Sequence, residues 1–178
     1  QYPTIFYRTG RLNPIESSEF WLSETPAVHR SLSWGSAFPR MATFGLFEAG
    51  GRRFYFIDTH LDHVSGEARL NGARMIREHF AGLGLPLILA GDFNEPPDSE
   101  VYRELVGGGP FYDTWRALHG PGEEATTQHD FGGAARGSRI DWILVTPPFR
   151  VKQAYIITDQ REGRYPSDHY PYGAEVEY

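Results

Sequence analysis

Four short polar clusters interrupt otherwise apolar, strand-like stretches of this 178-residue chain: Asp58-Thr59-His60-Leu61-Asp62-His63, Gly91-Asp92-Phe93-Asn94, Arg139-Ile140-Asp141 and Ser167-Asp168-His169. Carboxylates and imidazoles are costly to bury unpaired, so their repeated placement at strand ends implies that they converge on one polar site. In Asp92-Phe93-Asn94 the period of two along a strand points the carboxylate and the amide to the same face, a spacing suited to holding a hard cation or a phosphate oxygen. Asp168 directly precedes His169, which puts a metal ligand beside a general base or charge stabiliser. The chain has no cysteine, which excludes thiolate metal sites and disulfides. Hard oxygen donors favour Mg²⁺ or Mn²⁺ over a structural zinc. The chemistry implied is metal-assisted.

The elements that must carry these residues can be read from patterning. Thr4-Ile5-Phe6-Tyr7 and Glu19-Phe20-Trp21-Leu22 read as two strands of a hairpin, and residues 23–39 as a long loop rich in Ser and Pro. Met41 to Ala49 and Arg52 to Leu61 are strands separated by Gly50-Gly51, the clearest hairpin signal in the chain. Between Ser65 and Leu83 apolar and charged residues interleave as on an amphipathic helix. Leu85 to Ala90 is fully apolar and reads as a strand buried on both faces, with Asp92 and Asn94 at its C-terminal end. Asp98-Ser99 caps a short helix through Val106, which Gly107-Gly108-Gly109 ends. Residues 120–137 form a polar, glycine-rich loop, and Ile140 to Val145, Val151 to Ile157 and Tyr172 to Val176 are three further strands. Strands outnumber helices and the helices lie between strands, so the fold class is a layered α/β sandwich in one domain spanning residues 1–178.

Composition narrows the function classes. A net charge of -6 disfavours indiscriminate nucleic-acid binding, which relies on Lys and Arg displacing counterions. No apolar stretch approaches the roughly 18 residues of a membrane span, which predicts a soluble chain, cytoplasmic or exported. Gln1 is not a natural start, so upstream sequence is expected to be missing.

The order of these clusters, Asp-Thr-His-Leu-Asp-His, Gly-Asp-Phe-Asn, Arg-Ile-Asp-Trp-Ile and Ser-Asp-His, resembles the endonuclease/exonuclease/phosphatase superfamily. Phe20-Trp21-Leu22-Ser23 with Pro39-Arg40 is most similar to its bacterial branch allied to the deadenylases. The resemblance implies a four-layered, deoxyribonuclease-like sandwich of two packed, mainly antiparallel sheets flanked by helices. This chain would form its C-terminal two-thirds, without the N-terminal strands that bear the family's metal-site Asn and Glu. It also implies the residue roles. His169 is the general base or the stabiliser of the transition state, oriented by Asp141. Asp92 positions or deprotonates the attacking water, with Asn94 holding it and a phosphate oxygen. Asp168 ligates metal together with Asp92 and Asn94, His60 contacts the scissile phosphate, and Arg40 neutralises a second phosphate oxygen.

The leading functional reading is therefore a Mg²⁺-dependent (or Mn²⁺-dependent) hydrolase of phosphoester bonds acting by direct attack of water, as a nuclease or related phosphodiesterase. Its partner is a phosphoester substrate, nucleic acid included. The alternatives are a phosphatase or phospholipase-type enzyme for a small phosphorylated or lipid-derived substrate, and a catalytically silent module that keeps a phosphate pocket. His63 reads as a loop brace, the four tryptophans as packing residues, and His29, His79, His119 and His129 receive no role.

Overall fold

The computed structural model describes residues 2–120 and 122–178. Gln1, the basis for expecting upstream sequence, and position 121, within the expected polar loop, lie outside the described residues. The elements run β1 (Asn13–Trp21), β2 (Met41–Ala49), β3 (Arg52–His60), α1 (Gly66–Phe80), β4 (Leu87–Asp92), α2 (Glu100–Tyr102), β5 (Tyr112–Asp113), β6 (Asp141–Val145), β7 (Arg150–Ile156) and β8 (Tyr172–Glu177), with α2 running on through a π-helical turn over Arg103–Gly107. A six-stranded sheet has the order β1-β2-β3-β4-β6-β5, and β7 and β8 form a second, two-stranded sheet. Among the described residues β3 and β4 make the one parallel pairing, and every other pairing is antiparallel. This is the mixed α/β sandwich with two sheets that the sequence predicted.

The period of two along the strands sorts the core into two layers. Phe44, Tyr55, Ile57, Leu87, Leu89, Trp142 and Leu144 point to one face, where Ala73, Ile76 and Phe80 of α1 pack onto them. The ring of Phe80 meets those of Phe44 and Tyr55 edge-on at 5.1 and 5.4 Å. Phe47, Phe54, Ile88 and Val145 point to the other face and meet Phe149, just ahead of β7, and Val151 and Val176 of the second sheet. α1 starts where Ser65 accepts a hydrogen bond from the Ala68 N–H, and its charges follow the helix dipole, with Glu67 in the first turn and Arg77 in the last.

Two expectations need correction. Residues 4–7 form no strand, and the segment around Glu19–Leu22 belongs to a longer strand, β1, that pairs with β2 and not with the N-terminus. The first seven residues of β1 are all exposed, so no buried face imposes an apolar alternation that could have revealed the strand. Ile5 instead joins the second core cluster while Phe6 faces solvent. The two-residue β5 is too short to leave a sequence pattern, and its partner β6 defines it.

Gly91 sets how closely β3 and β4 approach. It pairs with Thr59 at a φ of +150°, and a Cβ there would stand 1.9 Å from the Thr59 carbonyl oxygen. Only glycine tolerates both conditions. Gly91→Ala is therefore expected to destabilise the fold by at least about 1–3 kcal/mol in urea denaturation. An unchanged unfolding midpoint would show that this strand pair yields more readily than the geometry implies.

Candidate active site

The parallel β3-β4 pair and the antiparallel β4-β6 pair are in a register that aligns His60 with Asp92 and Asp92 with Asp141. Three neighbouring strands thus end in a row of one imidazole and two carboxylates. His60 Nε2 lies 3.2 Å from Asp92 Oδ2. His169, from the irregular segment ahead of β8, completes the group: its Nδ1–H donates to Asp141 Oδ2 at 2.8 Å. Ligand atoms of Asp92, Asp141 and His169 all lie within 4.8 Å of one another. The group opens into a cavity of about 670 Å³, which Asp58, Thr59, Ser167, Tyr170 and Tyr172 also line.

Electrostatics separate the roles of these groups. Burial and the neighbouring Asp141 push the Asp92 carboxyl up to about 6. Asp58, on the same strand face as His60, is also raised to about 6 by burial. Burial, reinforced by Arg40, depresses His60 to about 4, so it is neutral near pH 7 and its 3.2 Å contact with Asp92 is not an ion pair there. His169 shifts the opposite way, because its hydrogen bond to Asp141 favours the imidazolium. Two imidazoles beside the same carboxylates are thus shifted in opposite directions.

The other expected site residues fall at varied distances from this group. Asn94 reaches Asp92 by a different route from the one expected. β4 stops at Asp92, Asn94 takes a left-handed φ of 51°, and its backbone N–H closes a turn onto Asp92 Oδ1 at 2.8 Å. Its side-chain amide donates to the Leu61 carbonyl at 3.1 Å, so Asn94 braces Asp92 against the end of β3. Arg40 is buried, 3.7 Å from Asp62 Oδ2 through Nε, and donates through Nη2 to Nδ1 of His63 at 3.2 Å. His63 also stacks on Phe38, as a loop brace would. Asp168 is exposed between the cavity-lining Ser167 and His169 and is not one of the residues lining the cavity.

Sequence reasoning passed over two residues. Asp58 was grouped with His60 but given no role, although strand alternation puts residues 58 and 60 on one face. Asp62, fully buried, likewise receives no role from the sequence. It accepts from the backbone N–H groups of Ala37, Phe38, Val64 and Ser65, and so ties the loop over residues 33–40 to the end of β3. Burial alone would raise its carboxyl, but the hydrogen bonds from Ser65, Val64, Ser36 and Ala37 together outweigh that and hold it at about 2.

The profile of the endonuclease/exonuclease/phosphatase family matches residues 20–169. A mannosyl-6-phosphatase from Bacteroides thetaiotaomicron is 34% identical, covers 97% of this chain and 69% of its own, and has a TM-score of 0.84. A functionally unknown conserved protein from Enterococcus faecalis is 36% identical, with coverage of 96% and 69% and a TM-score of 0.85. D. rerio TDP2, solved with a single-strand DNA product, is 20% identical over 96% of this chain and 70% of its own at a TM-score of 0.74, a likeness of fold. No curated protein sequence matches the chain. With four motifs in order, the fold they require and this extent of similarity, the chain belongs to the endonuclease/exonuclease/phosphatase family of phosphoesterase hydrolases.

Proposed function

We propose that this chain is a Mg²⁺-dependent (or Mn²⁺-dependent) hydrolase that cleaves the phosphoester of a small phosphorylated molecule, with a phosphorylated sugar as the leading class. The observation that carries the reading is the row of His60, Asp92 and Asp141 at three strand ends, closed by His169. A cavity of about 670 Å³ suits a small ligand. The net charge of -6 is unfavourable to a polyanion, and the 34% identical relative is by name a mannosyl-6-phosphatase. Beyond the resemblance to the deadenylase-allied branch, the nuclease reading has a likeness of fold to a DNA-bound structure.

The site suits a hard dication. Asp58 and Asp92 face one cavity with their carboxyls held up near 6 mainly by burial, and a cation bound there would offset the cost of ionising them. Asp92, braced by Asn94, is the residue that would hold it, whereas Asp168, which the family resemblance assigns to the metal, lies outside the cavity lining. When bound, such an ion neutralises phosphoryl charge and acidifies water.

The protein's own groups then divide the work. Asp92, ionised above about pH 6, accepts the proton of the attacking water. Neutral His60 donates a hydrogen bond to the scissile phosphate, and Arg40 offsets charge on a second oxygen. His169, whose imidazolium form the Asp141 hydrogen bond favours, stabilises the negative charge that builds on the phosphoryl oxygens.

His169→Ala is expected to cut turnover at least about 100-fold with little change in the thermal midpoint, since its role is confined to the transition state. Turnover close to the parent's would remove His169 from the mechanism. The pH profile separates the two carboxylates. Activity should rise through about pH 6 as Asp92 ionises and fall again where His169 loses its proton. Asp141→Asn removes the carboxylate that raises His169, so the alkaline fall should move to lower pH. Profiles that overlay would dissociate Asp141 from His169.

Metal binding has its own signature. Asp58 and Asp92 titrate higher in the folded than in the unfolded chain, so stability should decline as pH rises from about 4 to about 6 and remain lower above that. Mg²⁺ should therefore raise the melting temperature more at pH 7 than at pH 5, where protons compete for the same oxygens. Hydrolysis of mannose 6-phosphate that stops with EDTA, alongside an inert single-stranded oligonucleotide, is the outcome expected. The reverse preference would restore the nuclease reading, and EDTA-resistant turnover would end the metal assignment.

A further inference from the structure

Register aligns His60, Asp92 and Asp141, but it does not place His169. Asp141 opens β6, whereas His169 belongs to a segment outside the six-stranded sheet. The hydrogen bond between them needs another tie, and residues 127–129 provide it. Thr127 is completely buried. Its Oγ1 accepts from the N–H groups of Ile140 at 3.1 Å and Asp141 at 3.2 Å. Its carbonyl oxygen accepts from the Tyr170 N–H at 2.7 Å, and the His129 N–H donates to the Asp168 carbonyl oxygen at 2.8 Å. Between these two bonds Gln128 faces His169 in an isolated antiparallel bridge. One residue thus grips the backbone that carries Asp141 with its side chain and the backbone that carries His169 with its main chain.

We propose that Thr127 is a positioning residue for the reaction: it joins the two segments so that the Asp141 to His169 hydrogen bond forms and His169 is aimed into the cavity. The inference rests on the phosphoesterase reading above and adds a residue that touches neither substrate nor reacting atoms. The chemistry asks for a hydroxyl here. Threonine offers one oxygen to two converging N–H groups, while valine of the same shape would leave both donors buried and unpaired. A misplacement of about 1 Å between reacting groups can cost on the order of 100-fold in rate, so a tie this close to the dyad is where such an error would enter.

The test compares Thr127→Val with Thr127→Ser in the full chain, using two independent readouts. The first is the low-field proton resonance of the His169 Nδ1–H, identified by its loss in His169→Ala, which reports the hydrogen bond to Asp141 without any turnover. The second is kcat and KM for p-nitrophenyl phosphate with Mg²⁺, measured in the parent and in Asp141→Ala backgrounds. Thr127→Val is expected to shift or erase the resonance and to lower kcat at least about tenfold with KM within about twofold. Thr127→Ser should keep both near the parent, and Thr127→Val should add no loss to Asp141→Ala, because both changes break one unit. A folded Thr127→Val protein with an unaltered resonance and kcat overturns the proposal. So does an equal loss in both backgrounds, and so does failure of both Thr127→Val and Thr127→Ala to fold, which would make the hydroxyl an element of the fold alone. A parent inactive on the probe, with the resonance still following the Thr127 hydroxyl, would count against the phosphoesterase reading while upholding the tie.

Discussion

The site depends first on strand register. His60, Asp92 and Asp141 are neighbours because β3, β4 and β6 are paired so that residues 60, 92 and 141 fall in one line. A slip of one residue would turn each of these side chains to the opposite face, into the layer filled by α1. That register is enforced by the apolar residues that precede the polar ones. Ile57, Leu89 and Leu144 are fully buried, and each commits its strand to one phase of the pleat. The same contacts that stabilise the sandwich therefore aim the polar row, and Gly91 allows β3 and β4 to approach closely at the point where the row begins.

Burying such a row has an electrostatic cost, and the protein offsets it unevenly. Asp62 is satisfied by backbone donors and remains strongly acidic, which makes it an organiser of loops. Asp141 is paired with His169. Asp58 and Asp92 lack compensation of that strength, and both are held near 6. Carboxyls with complete hydrogen-bond partners serve structure, whereas those left poised face the cavity, and that contrast is what makes the cavity a reactive site rather than a polar patch.

Much of this could be read in the chain beforehand, and the exceptions have physical reasons. The β2-β3 hairpin, α1, β4 and β6 carry strong apolar periodicity because each buries a face. β1 does not, since its first seven residues are exposed, so its true partner was invisible. At the site, the pairing of Asp141 with His169 was implied by the family resemblance, while the route by which Asn94 reaches Asp92 was not. The pleat argument assumed that the strand continued, yet the chain turns at Asn94 into a left-handed conformation. Asp58 escapes notice because a charged residue inside a strand resembles any solvent-facing one until the N-terminal segment at Thr4 packs against it.

Residue identity and order by themselves determined the inventory of the site: carboxylates, imidazoles and amides at the ends of apolar strands, without a thiolate, in a sequence order characteristic of one family. These are local or ordinal properties, and they survive without coordinates. Tertiary structure alone decided which members of that inventory meet, which way Asp92, His60 and His169 are shifted in their titration, and that Thr127 links Asp141 to the His169 segment. Those depend on contacts between residues dozens of positions apart and on how far each group is removed from water, quantities set by the closing of strands and loops over one another rather than by any stretch of the chain.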